Sequence, residues 1–92
     1  MSGPRFIADS PDQMSEVALD GLTALFHRPS GMTHILAPPA PQILAALAGR
    51  SGDVAAIIDR IGARFDIDSD DAQAAIEARL AELEAAGLVR RA

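Results

Sequence analysis

The sequence contains no cysteine, which excludes disulfide bonds, a thiol nucleophile and any metal site that needs cysteine ligands. Aromatic residues make up only 3% of the chain, so the core has to be built from leucine, isoleucine, valine and three phenylalanines. No apolar run approaches the roughly 20 residues that a helix needs to cross a bilayer. The first residues also lack the charged-then-apolar pattern of a signal peptide. These absences predict a cytoplasmic protein with no membrane partner.

Basic residues are scarce as well: eight arginines stand against thirteen acidic residues, and the formal net charge is −5. A negative surface repels phosphate backbones, so the charge argues against nucleic acid as a partner. A basic peptide or a positive patch on another protein is a more natural counterpart. The length predicts one domain over residues 1–92. Residues 1–14 are weakly patterned, and pairing with the sheet, flexibility and exchange onto a neighbouring molecule all stay open for them.

The strongest structural signal is a hairpin over residues 22–36, in which two strand-like runs flank residues 28–31. Pro29 suits the second position of a type I turn, and Gly31 suits the left-handed position that closes a three-residue loop. Upstream, residues 15–20 alternate between apolar and polar, which predicts a strand with Val17 and Leu19 on one face and a wet opposite face. The sequence therefore predicts three strands in a meander.

Three helices are predicted after the strands, over about residues 39–48 and 54–65 and from Ser69 or Asp70 to Gly87. Ser51 or Asp53 is expected to cap the second helix, and Gly62 in that helix is expected to permit a close helix approach. The predicted fold class is therefore α+β and winged-helix-like, with a three-stranded antiparallel sheet followed by three helices (βββααα).

The two histidines give little support for a metal or catalytic site. With a three-residue hairpin loop His27 opposes Thr33, so the imidazoles of His27 and His34 point to opposite faces and cannot share a metal. A loop one residue longer would put His27 directly across from His34, but two ligands without a third make a weak metal site.

Other catalytic and ligand-binding patterns are missing too. The acidic residues 66, 68, 70 and 71 lack the glycine and terminal glutamate of a calcium loop. No Ser–His–acid set has a recognisable local signature, and no glycine-rich phosphate loop is present. The sequence predicts no catalytic residue, no metal and no cofactor, and hence a protein that is not an enzyme.

A hairpin followed by three helices is also the plan of a winged-helix DNA-binding regulator, and this alternative stays open. That function needs a recognition helix with basic or amide side chains toward the groove. The third predicted helix exposes mostly acidic side chains, namely Glu77, Glu82 and Glu84 beside Arg79.

One stretch carries a family resemblance. The segment from Phe26 to Leu36, followed by a proline-rich helix entry and the helix end Leu47-Ala-Gly49, resembles the PqqD-like family, and most closely its branch of HPr-rel-A system PqqD peptide chaperones. The similarity extends from about residue 15 to Leu80-x-x-Leu83-x-x-x-Gly87-Leu88-Val89. Its more specific part is Ser30-Gly31-x-Thr33-His34-x-Leu36.

The resemblance implies a recognition element that binds the leader segment of a precursor peptide by strand addition and presents it to a modifying enzyme. That enzyme is a radical-SAM enzyme in pyrroloquinoline quinone (PQQ) biosynthesis, and a kinase-like partner is indicated for the HPr-rel-A branch. The resemblance implies two sets of peptide-binding residues in this chain. The strand edge consists of Met32, Thr33, His34, Ile35 and Leu36 on the third strand. The groove wall consists of Ile76, Arg79, Leu80 and Leu83 on the third helix.

The physics of an edge strand supports the same site, because unpaired N–H and C=O groups can be completed by a peptide. Two other occupants of the edge stay open: the N-terminal segment Arg5–Ile7, and a second copy of the protein in a homodimeric scaffold. Ile76, Leu80 and Leu83 also have an alternative assignment as core residues.

Overall fold

Turns and caps predicted from the sequence bound most elements of the computed structural model, which describes residues 3–62 and 73–92 in full and residues 69–72 by their backbone. Five strands, three α-helices and a short 3-10 helix at Pro11–Gln13 make up the described part of the chain. The strands are β1 Phe6–Ala8, β2 Met14–Leu19, β3 Leu22–His27, β4 Met32–Leu36 and β5 Val89–Arg91. The helices are α1 Ala40–Leu47, α2 Val54–Gly62 and α3 Ser69–Ala85.

Strands β2, β3 and β4 form the predicted antiparallel meander in that order. The β2–β3 turn is the predicted Asp20-Gly21, and both residues have positive φ, at 40° and 83°. The β3–β4 loop is one residue longer than predicted, because His27, and not Arg28, pairs with Met32. Gly31, at φ 70°, closes this loop by donating its N–H to the carbonyl of His27 at 2.9 Å.

The two faces of this sheet are very different. Its inner face carries Leu25 and His27, which are buried, and Leu36 and Met14, which pack against the core. Its outer face is formed, according to the strand register, by Ser15, Val17, Leu19, Leu22, Ala24, Phe26, Thr33 and Ile35. The apolar face predicted for the first strand is thus not a buried one: Val17 is 60% exposed. The helices pack only on the opposite face of the sheet. The position of the helices, and not the apolar alternation of β2, therefore decides which face is buried.

The chain ends form a second, two-stranded sheet in which β1 pairs antiparallel with β5. The other side of β1 is also occupied, since Phe6 exchanges backbone hydrogen bonds of 2.8 and 2.9 Å with Gly52, and Gly49 donates its N–H to the carbonyl of Ala8. The βββααα order is therefore extended by one strand at each end. The N-terminal segment pairs with the C-terminal one, so β1 does not cover the edge of β4.

The helices pack a core on the inner side of the sheet. Ile43, Leu44 and Leu47 of α1 are fully buried, as predicted from their spacing. Asp53 is the cap of α2, where its Oδ1 accepts the N–H of Ala56 at 2.9 Å. The core also takes in side chains from α2, α3 and the chain ends, namely Ile57, Ile61, Ile76, Leu80, Leu83, Leu88, Val89 and Phe6.

Helix α3 ends as predicted, with Gly87 at φ 79°. The N–H of Leu88 reaches the carbonyl of Leu83 and the N–H of Gly87 that of Glu84, which is the hydrogen-bond pattern of a Schellman motif. The close helix approach predicted at Gly62 is wrong within the described residues, because a Cβ there would meet nothing within 4 Å.

Some sequence predictions fall on residues that the structure does not describe in full. The end of the second predicted helix, the acidic cluster and the cap of the third helix all lie at least partly within residues 63–72. Among the residues that are described, no helix is both long enough and apolar enough to span a bilayer.

Candidate functional site

The outer edge of β4 is the first element of the candidate site. Strand β4 stands last in the order β2-β3-β4 and pairs along its length with β3, from His27–Met32 to Thr23–Leu36. Within residues 3–62 and 69–92, no other strand pairs with β4. Its second row of backbone donors and acceptors therefore lacks a strand partner in this part of the chain.

Side chains of β4 alternate between the two faces of the sheet. Thr33 and Ile35 lie on the outer face, and Ile35 is 60% exposed. Met32, His34 and Leu36 lie on the inner side, where His34 stands across from the buried Leu25. The Nε2 atom of His34 is buried without a hydrogen-bond partner among the described residues. The edge thus offers the exposed pair Thr33 and Ile35 on one face, and on the other a row that is exposed at Met32 and half-buried at His34 and Leu36.

The predicted groove wall on α3 has a different character. Ile76, Leu80 and Leu83 are only 2–3% exposed and belong to the core cluster. Arg79 reaches the surface, where its Nη1 lies 2.7 Å from Oε2 of Glu82. The main packing partners of α3 are α1, α2 and β5. These three apolar side chains are core residues, and Arg79 is the member of the predicted wall whose side chain is exposed.

A polar cluster that the sequence did not reveal lies where the hairpin loop meets the chain ends. His27, only 5% exposed, has Nε2 at 2.7 Å from Oδ2 of Asp9 and Nδ1 at 2.8 Å from the hydroxyl of Ser30. Arg90 donates to the other oxygen of Asp9 at 3.1 Å. Met32 at the start of β4 donates its N–H to Ser30 Oγ at 3.3 Å.

The protonation pattern of this cluster follows from its geometry. A carboxylate only accepts hydrogen bonds, so His27 donates from Nε2 to Asp9, and in the neutral ring Nδ1 accepts from the Ser30 hydroxyl. The hydrogen bond from His27 is the largest effect and lowers the pKa of Asp9 below its ordinary value of 3.8; burial, the next largest, opposes it, and the hydrogen bond and charge of Arg90 lower the pKa further. The cluster is therefore held as an ionised carboxylate between two donors.

Chemically, a serine–histidine–aspartate chain can activate a hydroxyl, but here its placement favours a structural role. The Ser30 hydroxyl already accepts the N–H of Met32 and sits in a hairpin turn. The cluster therefore joins β1, the hairpin loop, the start of β4 and β5. His27 and Ser30 are neighbours in the hairpin, but Asp9 and Arg90 are far from them in sequence. The local sequence therefore gives no signal for the cluster beyond a histidine on a strand.

The prediction that the two imidazoles point to opposite faces is wrong. The longer loop places His27 and His34 on the same, inner face, although such a loop was expected to put them directly across from each other. They are not directly opposite, however, because His27 pairs with Met32 and His34 with Leu25. Within the described residues, no three His, Asp or Glu side chains come together as a metal site would require.

A cavity of about 350 Å³ lies away from the β4 edge, between α1 and α2. Its lining residues are Pro41, Gln42, Ala45, Ala46, Arg50, Arg60 and Ile61. Arg60 donates to the carbonyls of Ala46 and Ser51, each at 2.9 Å. Those hydrogen bonds connect α2 to the end of α1 and to the following loop. The Arg60 guanidinium therefore has a structural role in this cavity.

Comparisons with known proteins bear on this site. A family model described as "Coenzyme PQQ synthesis protein D (PqqD)" matches residues 23–89. A solved structure described as "TbiB1 in Complex with the TbiA(beta) Leader Peptide" is similar with a TM-score of 0.59 at 20% identity, over 89% of this chain and 94% of that one. A search of curated proteins gives no match. The structural likeness confirms the predicted fold, an α+β chain with a three-stranded antiparallel sheet followed by three helices.

Proposed function

Since the chain belongs to the PqqD family, we propose that it is a non-catalytic adaptor that binds the leader segment of a precursor peptide and presents it to a modifying enzyme. The family predicted from the sequence is confirmed, and its HPr-rel-A branch stays a prediction. The modifying enzyme is proposed to be a radical-SAM enzyme or a kinase-like protein, acting in the cytoplasm.

The free edge of β4 is the observation that carries this proposal. A strand with unpaired backbone groups binds an extended peptide by main-chain hydrogen bonds, while alternate side chains supply specificity. Strand β1, which was a candidate to cover this edge, is paired on both of its sides elsewhere. The TbiB1 structure was solved with a leader peptide, and a fold shared with it is consistent with the same kind of ligand here.

The two faces of β4 suggest how a leader is read. A residue of the added strand beside Ile35 would extend the outer row Val17–Ala24–Ile35, which is apolar throughout. We therefore expect the leader to carry an apolar side chain there. Arg79 is expected to favour acidic residues in the leader, with Ile76, Leu80 and Leu83 supporting it from below.

Strand addition can be tested with synthetic peptides from the first halves of short open reading frames next to the gene, titrated by fluorescence anisotropy. Each peptide that binds is then made in two N-methylated forms, with methyl groups on odd or on even amides. Because alternate amides of a strand point toward opposite sides, one form should lose at least roughly a hundredfold in affinity and the other should bind normally.

The result that contradicts the proposal is equal tolerance of both methylated forms, since a helical or side-chain-only ligand has no such alternation. A duplex DNA probe titrated at low salt serves as the comparison, because phosphate contacts are strongest there. Binding of DNA without binding of any peptide would favour the winged-helix regulator instead.

A further inference from the structure

The outer face of the β2–β3–β4 sheet is apolar although nothing in the described chain covers it. Five of its side chains are large and hydrophobic and are between 38% and 60% exposed: Val17, Leu19, Leu22, Phe26 and Ile35. An antiparallel sheet that packs on one face ordinarily presents polar residues on the other. Here the remaining positions of the face are alanine, serine and threonine.

Acidic side chains are absent from the eight positions of this face, and the guanidinium of Arg28 reaches one end of it, where Nη2 donates to the Ser15 hydroxyl at 2.9 Å. None of the eight positions of the outer face is ionisable, in a protein of net charge −5. Glu16 of β2 points to the other side of the sheet. Two copies of net charge −5 can therefore meet through this face without bringing acidic side chains together.

The size of the patch also suits a second copy. Five large side chains exposed by about half present on the order of 400 Å² of apolar surface, a size at which a contiguous patch is often functional. Two such faces together would bury on the order of 800–1,000 Å², which is below the roughly 1,200 Å² of stable specific interfaces and is the size of a weak, transient one. An interface of this size gives a weak, reversible dimer rather than a permanent one.

We propose that two copies of this chain associate by packing these outer faces against each other as an aligned pair of sheets. The arrangement is isologous, since the same patch serves both copies, and the sheets lie about 10 Å apart. It differs from an edge-to-edge dimer because β4 keeps its free edge in each copy. The proposed leader-peptide function does not depend on it.

Sedimentation equilibrium over protein concentrations from micromolar to millimolar tests this dimer, at low and at high sodium chloride. The weight-average mass should rise above 9.6 kDa with concentration, with a dissociation constant of roughly tens to hundreds of micromolar. It should rise further in salt, because screening weakens the repulsion between the two negative copies. A mass of 9.6 kDa throughout, at both salt concentrations, would refute the proposal.

The matched variants are Val17→Glu and Ala18→Glu, which add the same charge to neighbouring exposed positions on opposite faces of β2. Val17→Glu should shift the dissociation constant upward by at least roughly tenfold, and Ala18→Glu should leave it nearly unchanged. Val17→Thr, which keeps the branched shape and adds no charge, should give an intermediate value. Equal behaviour of the two glutamate variants, with circular dichroism showing both folded, would overturn the assignment to the outer face.

Discussion

The two sheets of this protein make opposite use of the same backbone chemistry. In the sheet of the chain ends, β1 has a neighbour on both sides, and Phe6 and Ala8 are buried. In the hairpin sheet, β4 has a neighbour on one side, and the outer face is exposed. A strand whose backbone N–H and C=O groups are paired on both sides contributes stability. A strand with one unpaired row of these groups can bind a partner. Asp9, His27 and Ser30 link the two sheets without closing the open one.

The largest expected effect separates two phenylalanines. Phe6→Ala should lower the free energy of unfolding by about 3–5 kcal/mol, because the ring is buried in the core and Arg91 lies 5.0 Å from its centroid. Phe26→Ala on the outer face should cost about 1 kcal/mol or less. Urea unfolding at low protein concentration measures both. Similar losses for the two would mean that the hairpin sheet is not the open region described above.

A backbone change on β4 should have the next largest effect, on peptide binding. Ile35→Pro removes one N–H from the strand and should reduce affinity at least roughly a hundredfold, while also straining the sheet. Ile35→Ala keeps the N–H and loses only side-chain area, so its affinity should fall far less. Anisotropy titrations, with circular dichroism as a check on folding, measure the difference. If alanine were as damaging as proline, side-chain packing rather than strand pairing would dominate the contact.

The link between the two sheets should be worth about 1–2 kcal/mol. Asp9→Asn removes the charge that His27 and Arg90 bond. A hydrogen bond to a charged group contributes about 1.5–3 kcal/mol, and the partial exposure of Asp9 and the polar amide that replaces it reduce the loss. Glu16→Gln, at an exposed position of β2, is the control and should have little effect. An equal loss of stability in Glu16→Gln and Asp9→Asn would show that the hydrogen bonds of Asp9 do not stabilise the fold specifically.

The same link predicts how stability depends on pH. The pKa of Asp9 is lowered in the folded protein, so the unfolded chain takes up the proton first as pH falls. The contribution of Asp9 is fully present above the ordinary value of 3.8 and is lost progressively as pH falls toward the lowered folded value. The unfolding free energy of wild type should therefore drop more steeply below about pH 4 than that of Asp9→Asn. Parallel curves would show that Asp9 is not held as an ionised group.

The smallest effect is expected at α3. Arg79→Glu should weaken binding of an acidic leader by roughly three- to fivefold, and its exposed pair with Glu82 means that folding should change by no more than about 0.5 kcal/mol. Glu82→Gln, which keeps Arg79 but frees it from its partner, should leave binding equal or stronger. Unchanged affinity in Arg79→Glu would argue against any contribution of the predicted groove wall.

Much of the fold could be read from the residues themselves. Gly21, Gly31 and Gly87 adopt the left-handed conformations that their turns and caps require, because local sterics decide such positions. The spacing of Ile43, Leu44 and Leu47 placed them in the core, since one helix face has to be buried whatever its partner. The candidate edge at Met32–Leu36 came from a hairpin pattern and a family resemblance, and its strand bounds hold.

What the tertiary structure alone decided are the features that depend on distant parts of the chain. Alternation in β2 marks two faces but cannot say which one the helices will cover, and the predicted burial of the face with Val17 and Leu19 is wrong. The register of the β3–β4 hairpin shifted by one residue where His27 meets Asp9, a contact across eighteen residues. The pairing of β1 with β5, which leaves the β4 edge free, joins the two ends of the chain and has no local signal. Local conformational preferences depend on neighbouring residues, so the sequence shows them directly. Burial and strand pairing depend on which distant segments pack together, so they are fixed only in the folded chain.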